Sequence, residues 1–112
     1  IDGLNDIQKE KSYMLELSNS NFEETVKTGV AVVDFWAPWC GPCRSLKTIL
    51  EQIAEEHDNI DVTFINIDDR PEEAELYKIR SLPTVMILKN DQDFIRFTGL
   101  RTKRELLDML GL

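Results

Sequence analysis

The chain is poor in several of the residues on which small-domain chemistry depends. It has two cysteines and one histidine among 112 residues. Two thiols are too few for the disulfide framework of a small secreted scaffold. Zinc takes about four ligands, and two cysteines with His57, which sits in the polar stretch EEHDN, do not supply them. No metal site is expected. Long hydrophobic runs are also missing. The longest apolar stretch, Val30 to Trp36, is already broken by Asp34, and a membrane-spanning helix needs about 18 or more apolar residues. The first residues lack the basic-then-apolar pattern of a secretory signal. Positive charge is scarce: 13 Lys and Arg face 21 Asp and Glu, for a net charge of −8. Phosphate backbones require clustered cations, so nucleic acid is not an expected partner.

What is present is an ordinary globular composition, 42% apolar and 30% charged. A chain of this length forms one domain and buries roughly two-thirds of the surface exposed when unfolded, so it folds without staples. Residues 1–12 are mixed and polar and read as an extension. From Tyr13 the pattern becomes regular. YMLEL reads as a strand. SNFEETVKTG reads as a helix, with a capping box at Ser20 and Glu23 and a stop at Gly29. VAVVDFW is β-branched and nearly continuously apolar, as in a strand covered on both faces. Leu46, Ile49, Leu50, Ile53 and Ala54 recur at helical spacing, predicting a helix from CGPC to about Glu56. VTFINID reads as a strand. Pro71 opens a short helix through Tyr77, since proline is tolerated in a first turn. TVMIL and FIRF form a hairpin around KNDQD. Thr102 and Glu105 make a second capping box, ahead of a helix carrying Leu106, Leu107 and Leu110. Strands alternating with helices predict a parallel sheet with helices on both faces, to which the hairpin adds an antiparallel edge.

Both cysteines lie in one segment, VVDFWAPWCGPC. Cys40 and Cys43 are i and i+3 at a helix start, so their side chains can lie over one another. Unpaired amides and the positive end of the helix dipole stabilise a thiolate there, and the thiolate is the nucleophile. Pro42 is tolerated because its missing N–H has no helical partner. Cys40 can then attack a partner's disulfide, and Cys43, the less exposed, can resolve the mixed disulfide. The competing reading makes both cysteines small core residues, although a Gly-Pro turn is a poor place for core. Asp34 interrupts an apolar strand. If buried, its pKa rises and it can exchange protons near neutrality; otherwise it faces water on an edge. Trp39 is either core or an exposed apolar platform beside the nucleophile. Pro83 is either an ordinary strand-start proline or a cis one. Gly41 and Pro42 bring no cation to favour the thiolate, which predicts a reducing couple rather than an oxidising one.

VDFWAPWCGPC, followed by INID and then RSLPTVMILKN, resembles the thioredoxin family, and the likeness runs from about Tyr13 to the C-terminus. The resemblance implies the α/β thioredoxin fold: a central mixed β-sheet flanked by helices on both faces, order βαβαβαββα, in residues 13–112. It implies a protein dithiol–disulfide oxidoreductase that reduces disulfides in partner proteins through a reversible Cys40–Cys43 disulfide. By position, Cys40 resembles the attacking thiol and Cys43 the resolving one. Asp34 resembles the buried carboxylate that handles protons for Cys43. Pro83 resembles the cis-proline facing the disulfide, and Gly99 the glycine of the third loop around it. The substrate surface implied is Trp39, Gly41, Pro42, Leu82, Pro83, Thr84, Gly99 and Leu100, accepting extended segments by backbone pairing. No bound cofactor is implied beyond the disulfide. The implied partners are disulfide-containing proteins and a thioredoxin reductase, NADPH- or ferredoxin-linked. A cytoplasmic monomer is expected.

The chain departs from the family pattern in places. Phe64 stands where a lysine usually lies near the buried carboxylate. Loss of that cation is expected to raise the Asp34 pKa further and to alter the pH dependence of proton transfer to Cys43. Thr48 replaces a frequent kinking proline. Lys78, Ser81 and Asp91 replace frequent glycines, and Lys78 and Arg80 bring positive charge near the substrate face. Two other readings compete: an oxidase or isomerase domain of an exported protein, and a non-catalytic binding module built on the same fold.

Overall fold

A computed structural model describes residues 29–89 and 93–112. The expected first strand and helix, the Ser20–Glu23 capping box, the extension at 1–12 and the turn position Asp91 lie outside the described residues. Within them the order is β1 (Val30–Trp36), α1 (Gly41–Glu56), β2 (Ile60–Asn66), α2 (Pro71–Leu76), β3 (Thr84–Lys89), β4 (Asp93–Thr98) and α3 (Lys103–Met109). The strands form one sheet in the order β2-β1-β3-β4.

The apolar run of β1 becomes the centre of that sheet. Val30 through Phe35 are all buried. Alternate side chains of a strand point to opposite faces, so β1 feeds two cores. Val30 and Val32 pack with Leu46, Leu50 and Ile53 of α1 and with Leu106 of α3. Ala31, Val33 and Phe35 pack on the other face with Ile65, Met86 and Tyr77, which closes α2. The Phe35 and Tyr77 rings lie 5.7 Å apart. Gly29 precedes β1 where a Cβ would collide with the backbone oxygen of Asn59. That close approach lets Val30 donate its amide to the same oxygen at 2.9 Å, which brings the start of β1 beside the start of β2. At the other end of the chain, the Thr102 hydroxyl accepts from the Glu105 amide while the Glu105 carboxylate accepts from the Thr102 amide. This is the expected capping box, and it fixes the start of α3.

One expectation is corrected. Among the described strands, only β1 and β2 run parallel. β3 runs antiparallel to β1, as well as to β4. The connection from β2 to β3, residues 67–83, contains only the short helix α2 (Pro71–Leu76). It delivers the chain to the end where β1 finishes, so that Thr84 at the start of β3 pairs with Phe35. The consequence is functional: the segment entering β3 lies beside the segment leaving β1.

That entering segment is fixed by β4. The Arg96 guanidinium donates to the carbonyls of Tyr77 at 2.6 Å and Lys78 at 2.9 Å. Lys78 has φ of 56°, in the left-handed region that costs a residue other than glycine about 1–2 kcal/mol. The clamp holds it there.

Candidate active site

The chain leaving β1 passes through Ala37, Pro38 and Trp39 into α1. Cys40 is the N-cap of α1 and Pro42 lies in its first turn. The Cys40 amide donates to the Ala37 carbonyl at 3.1 Å, and the Arg44 guanidinium donates to the Pro38 carbonyl at 2.9 Å. These bonds present Cys40 at the tip of the helix. Cys40 and Cys43 are joined in a disulfide, with Cα atoms 5.3 Å apart. The Cys43 amide, one of the otherwise unpaired donors of a helix start, points at the Cys40 sulfur at 3.3 Å. A thiolate formed at Cys40 would therefore meet an amide donor and the positive end of a 16-residue helix. The two sulfurs are not equivalent: Cys40 is 7% exposed and Cys43 not at all.

Cys40 opens on a groove of about 520 Å³, lined by Trp39, Gly41, Pro42, Ile67, Ile79, Arg80, Ser81 and Leu82. Trp39 is 67% exposed, so it forms a platform and not core. Its indole N–H is held by the Asp68 carboxylate, at 3.1 Å to the nearer oxygen. The Leu82–Pro83 peptide is cis. The Pro83 carbonyl accepts the Gly99 amide at 2.9 Å, and Gly99 has φ of 88°, which glycine adopts at little cost. Pro83 and the 99–100 loop are thus tied together, with Leu100 exposed.

The structure brings Trp39, Cys40, Gly41, Pro42 and Leu82 together in the lining of one groove, and Pro83, Gly99 and Leu100 are not among its lining residues. Thr84 is wholly buried, and its hydroxyl donates to the Ser81 carbonyl at 2.7 Å. Its side chain braces the turn ahead of β3. Ile67 and Ile79 were not anticipated. Each is an isolated apolar residue in a polar connection, and that was the available signal. Arg80 does line the groove, while the carbonyl of Lys78 is taken up by Arg96.

Asp34 is fully buried. It points to the α1 side of the sheet, as do Val32 and Trp36 along the same strand face. Neither carboxylate oxygen has a hydrogen-bond partner among the described residues. Burial raises its pKa from 3.8 to about 7, partly offset by the Lys47 ammonium. Phe64 is its register partner on β2 and Val85 on β3. The expectation of a carboxyl deprived of a cation is therefore modified: β2 offers none, but α1 does. Thr48 leaves α1 unbroken, its hydroxyl donating back to the Arg44 carbonyl at 3.2 Å.

Among the described residues, no helix is long and apolar enough to cross a membrane. Comparison with known proteins agrees with the geometry. The family model for thioredoxin matches residues 13–111. The thioredoxin of Chlamydia pneumoniae is 38% identical over 95 residues, spanning 85% of this chain and 93% of its own. That of Staphylococcus haemolyticus is 33% identical over 98 residues, spanning 87% and 94%. Among solved structures, a chloroplastic thioredoxin z matches with a TM-score of 0.74 at 31% identity, covering 84% of this chain and 88% of its own. Fasciola hepatica thioredoxin matches with a TM-score of 0.69 at 28% identity, covering 85% and 94%. The chain belongs to the thioredoxin family, and its Cys40–Cys43 disulfide is the redox centre of a protein dithiol–disulfide oxidoreductase.

Proposed function

We propose that the reaction runs toward reduction of partner proteins, with Cys40 as attacking thiol, Cys43 as resolving thiol and Asp34 as the proton acceptor for Cys43. The observation that carries this reading is the asymmetry of the two sulfurs. Cys40 faces the groove at the helix tip, and Cys43 is buried on the side of the sheet where Asp34 lies. The Cys40 thiolate attacks one sulfur of a partner disulfide, forming a mixed disulfide and releasing the partner's other sulfur as a thiolate. Cys43 gives its proton to the Asp34 carboxylate and attacks the Cys40 sulfur. The Cys40–Cys43 disulfide forms, the second partner sulfur leaves, and two electrons have passed to the partner. A carboxyl with a pKa of about 7 suits that transfer at neutral pH.

The partner chain lies extended in the groove against Trp39, Gly41, Pro42 and Leu82. Pro83, Gly99 and Leu100 border it, and Thr84 holds the turn from beneath. The disulfide itself carries the electrons, and no bound cofactor takes part. A thioredoxin reductase, NADPH- or ferredoxin-linked, returns the dithiol. The protein works as a cytoplasmic monomer.

The midpoint potential of the Cys40–Cys43 couple tests the direction. A reductant should lie near about −270 mV, the benchmark for thioredoxin itself and not a value derived from this structure. A potential of roughly −180 to −120 mV would make the site an oxidant or isomerase. Cys40→Ser should abolish reduction of a model disulfide protein. Cys43→Ser should trap that protein as a mixed disulfide on Cys40. Trapping through Cys43 in the Cys40→Ser variant would reverse the two roles.

A further inference from the structure

The buried carboxylate has a neighbour that the reaction scheme does not use. Lys47 lies on α1 one turn after Cys43, and residues four apart share a helix face. It is half-buried, and its ammonium sits 4.2 Å from the centroid of the Trp36 ring and 5.3 Å from that of Phe64. A lysine head over aromatic faces is held by their electron density. Here the two rings are the flanking neighbours of Asp34: Trp36 is two residues along the same strand face, and Phe64 is its register partner on β2. The stem of Lys47 is thereby directed toward the sheet at the level of Asp34.

Among the described residues, the other elements packed around that carboxyl offer it no charge. β2 presents Phe64 and β3 presents Val85. α3 contributes Leu106, and its C-cap Leu110, to this core. From α1 the titratable groups are Cys43 and Lys47. Asp69 and Arg70 also line the cavity, about 360 Å³, that Lys47 shares with Trp36 and Phe64, and Arg70 is engaged by Glu73 at 2.6 Å.

We propose that Lys47 is a positioning residue for the reaction: its ammonium, held between Trp36 and Phe64, is the countercharge that allows the Asp34 carboxyl to ionise and take the proton of Cys43. This rests on the reading of Asp34 as proton acceptor. Lys47 moves no proton itself. It sets the pH at which the acceptor is empty, and one stripe of α1 then carries both the resolving thiol and the charge that tunes its base.

The test uses the oxidised protein, in which neither cysteine titrates. The carboxyl carbon of Asp34 is followed by NMR in the wild type, Lys47→Met and Lys47→Arg. Methionine keeps a stem over the two rings and removes the charge, and Lys47→Gln serves if that variant does not fold. The Asp34 midpoint should rise by about one pH unit in Lys47→Met, the low end of what a nearby opposite charge produces. It should stay near the wild-type value in Lys47→Arg. The pH profile of Cys43 attack on a preformed mixed disulfide at Cys40 should move in the same direction. Coincident Asp34 midpoints in the wild type and Lys47→Met overturn the proposal. So does an equal rise in Lys47→Arg, which would make packing the cause. If the Asp34 midpoint moves and the attack profile does not, Lys47's part in the reaction is overturned because Asp34 is not the acceptor, although the electrostatic link between them stands.

Discussion

Asp34 and Glu73 are the two carboxylates buried among the described residues, and their surroundings differ in kind. Glu73, in α2, accepts on Oε1 from two nitrogens of the Arg70 guanidinium, Nη2 at 2.6 Å and Nε at 2.7 Å, from three residues earlier in the chain. Asp34, in the central strand, has no hydrogen-bond partner and a single countercharge, that of Lys47 over the Trp36 and Phe64 rings, among the described residues. A carboxylate taken out of water without close donors is costly. The fold meets that cost at α2 by pairing, and leaves it standing behind the disulfide. The contrast teaches where to look for function. A buried charge with a close, hydrogen-bonded partner holds an element in place, whereas one kept from ionising freely at neutral pH is suited to moving a proton.

The largest expected effect comes from removing the unpaired member. Asp34 rises from 3.8 to about 7, and at about 1.4 kcal/mol per pH unit its ionisation costs the fold on the order of 4 kcal/mol. Between these two values the native state holds the proton more tightly than the unfolded chain, so stability falls as pH rises. The contribution is intact below about pH 4, fully lost above about pH 7, and flat beyond. Denaturant unfolding of the wild type and Asp34→Asn at pH 4, 6 and 8 should therefore diverge, the variant gaining several kcal/mol relative to the wild type by pH 8. Parallel curves would mean that Asp34 is as well satisfied as Glu73, and the contrast would collapse. Attack by Cys43 should be slowed in the same variant.

Breaking the paired member should cost less and should not touch the chemistry. Arg70→Met removes the guanidinium from Glu73. Loss of one partner of a fully buried pair costs about 3–5 kcal/mol, but the Arg70 side chain is 46% exposed. Screening by water lowers the expectation to about 1–2 kcal/mol. Thermal unfolding should register that loss, while the pH profile of disulfide exchange stays in place. A displaced profile would show that the cavity shared by Arg70 and Lys47 couples the two carboxylates, and that they are not separate cases.

Much of this arrangement was legible in the residues. The apolar run of β1 announced a central strand, and the one charge in it announced a buried carboxyl. Cys40 and Cys43 beside Pro42 announced a helix tip. Leu46, Leu50 and Ile53 showed which face of α1 packs, and Thr102 with Glu105 marked the start of α3. The direction of β3 was not legible, because alternating side chains read the same in either direction. It is set by where the connection after β2 delivers the chain, a tertiary matter. Ile67 and Ile79 meet Cys40 only because β2 and the segment before β3 finish at the same end of the sheet. Lys47 reads in sequence as one more cation on a helix. Its role depends on helix phase bringing it over Phe64, which the sequence marks only as a departure from the family's lysine. Thr84 follows the proline as a substrate residue would, and yet turns inward to Ser81.

A third carboxylate fixes the lower end of the comparison. Glu56, at the end of α1, accepts from the Lys103 ammonium at 2.6 Å, a contact as short as that between Glu73 and Arg70. Here both side chains are well exposed. The hydrogen bond and charge of Lys103 hold the Glu56 carboxyl below its ordinary value. Whatever the pair contributes is therefore present at neutral pH and disappears on acidification through the carboxylate range. Exposed pairs are screened by salt and offset by the entropy of ordering two long side chains. Lys103→Met should leave the melting temperature unchanged within error at physiological salt, with any difference confined to low salt and neutral pH. If it lowered stability as much as Arg70→Met, proximity rather than burial would be what gives these pairs their weight. Asp34 would then differ from the other two only in lacking a close partner, and not in the cost of being ionised where it lies.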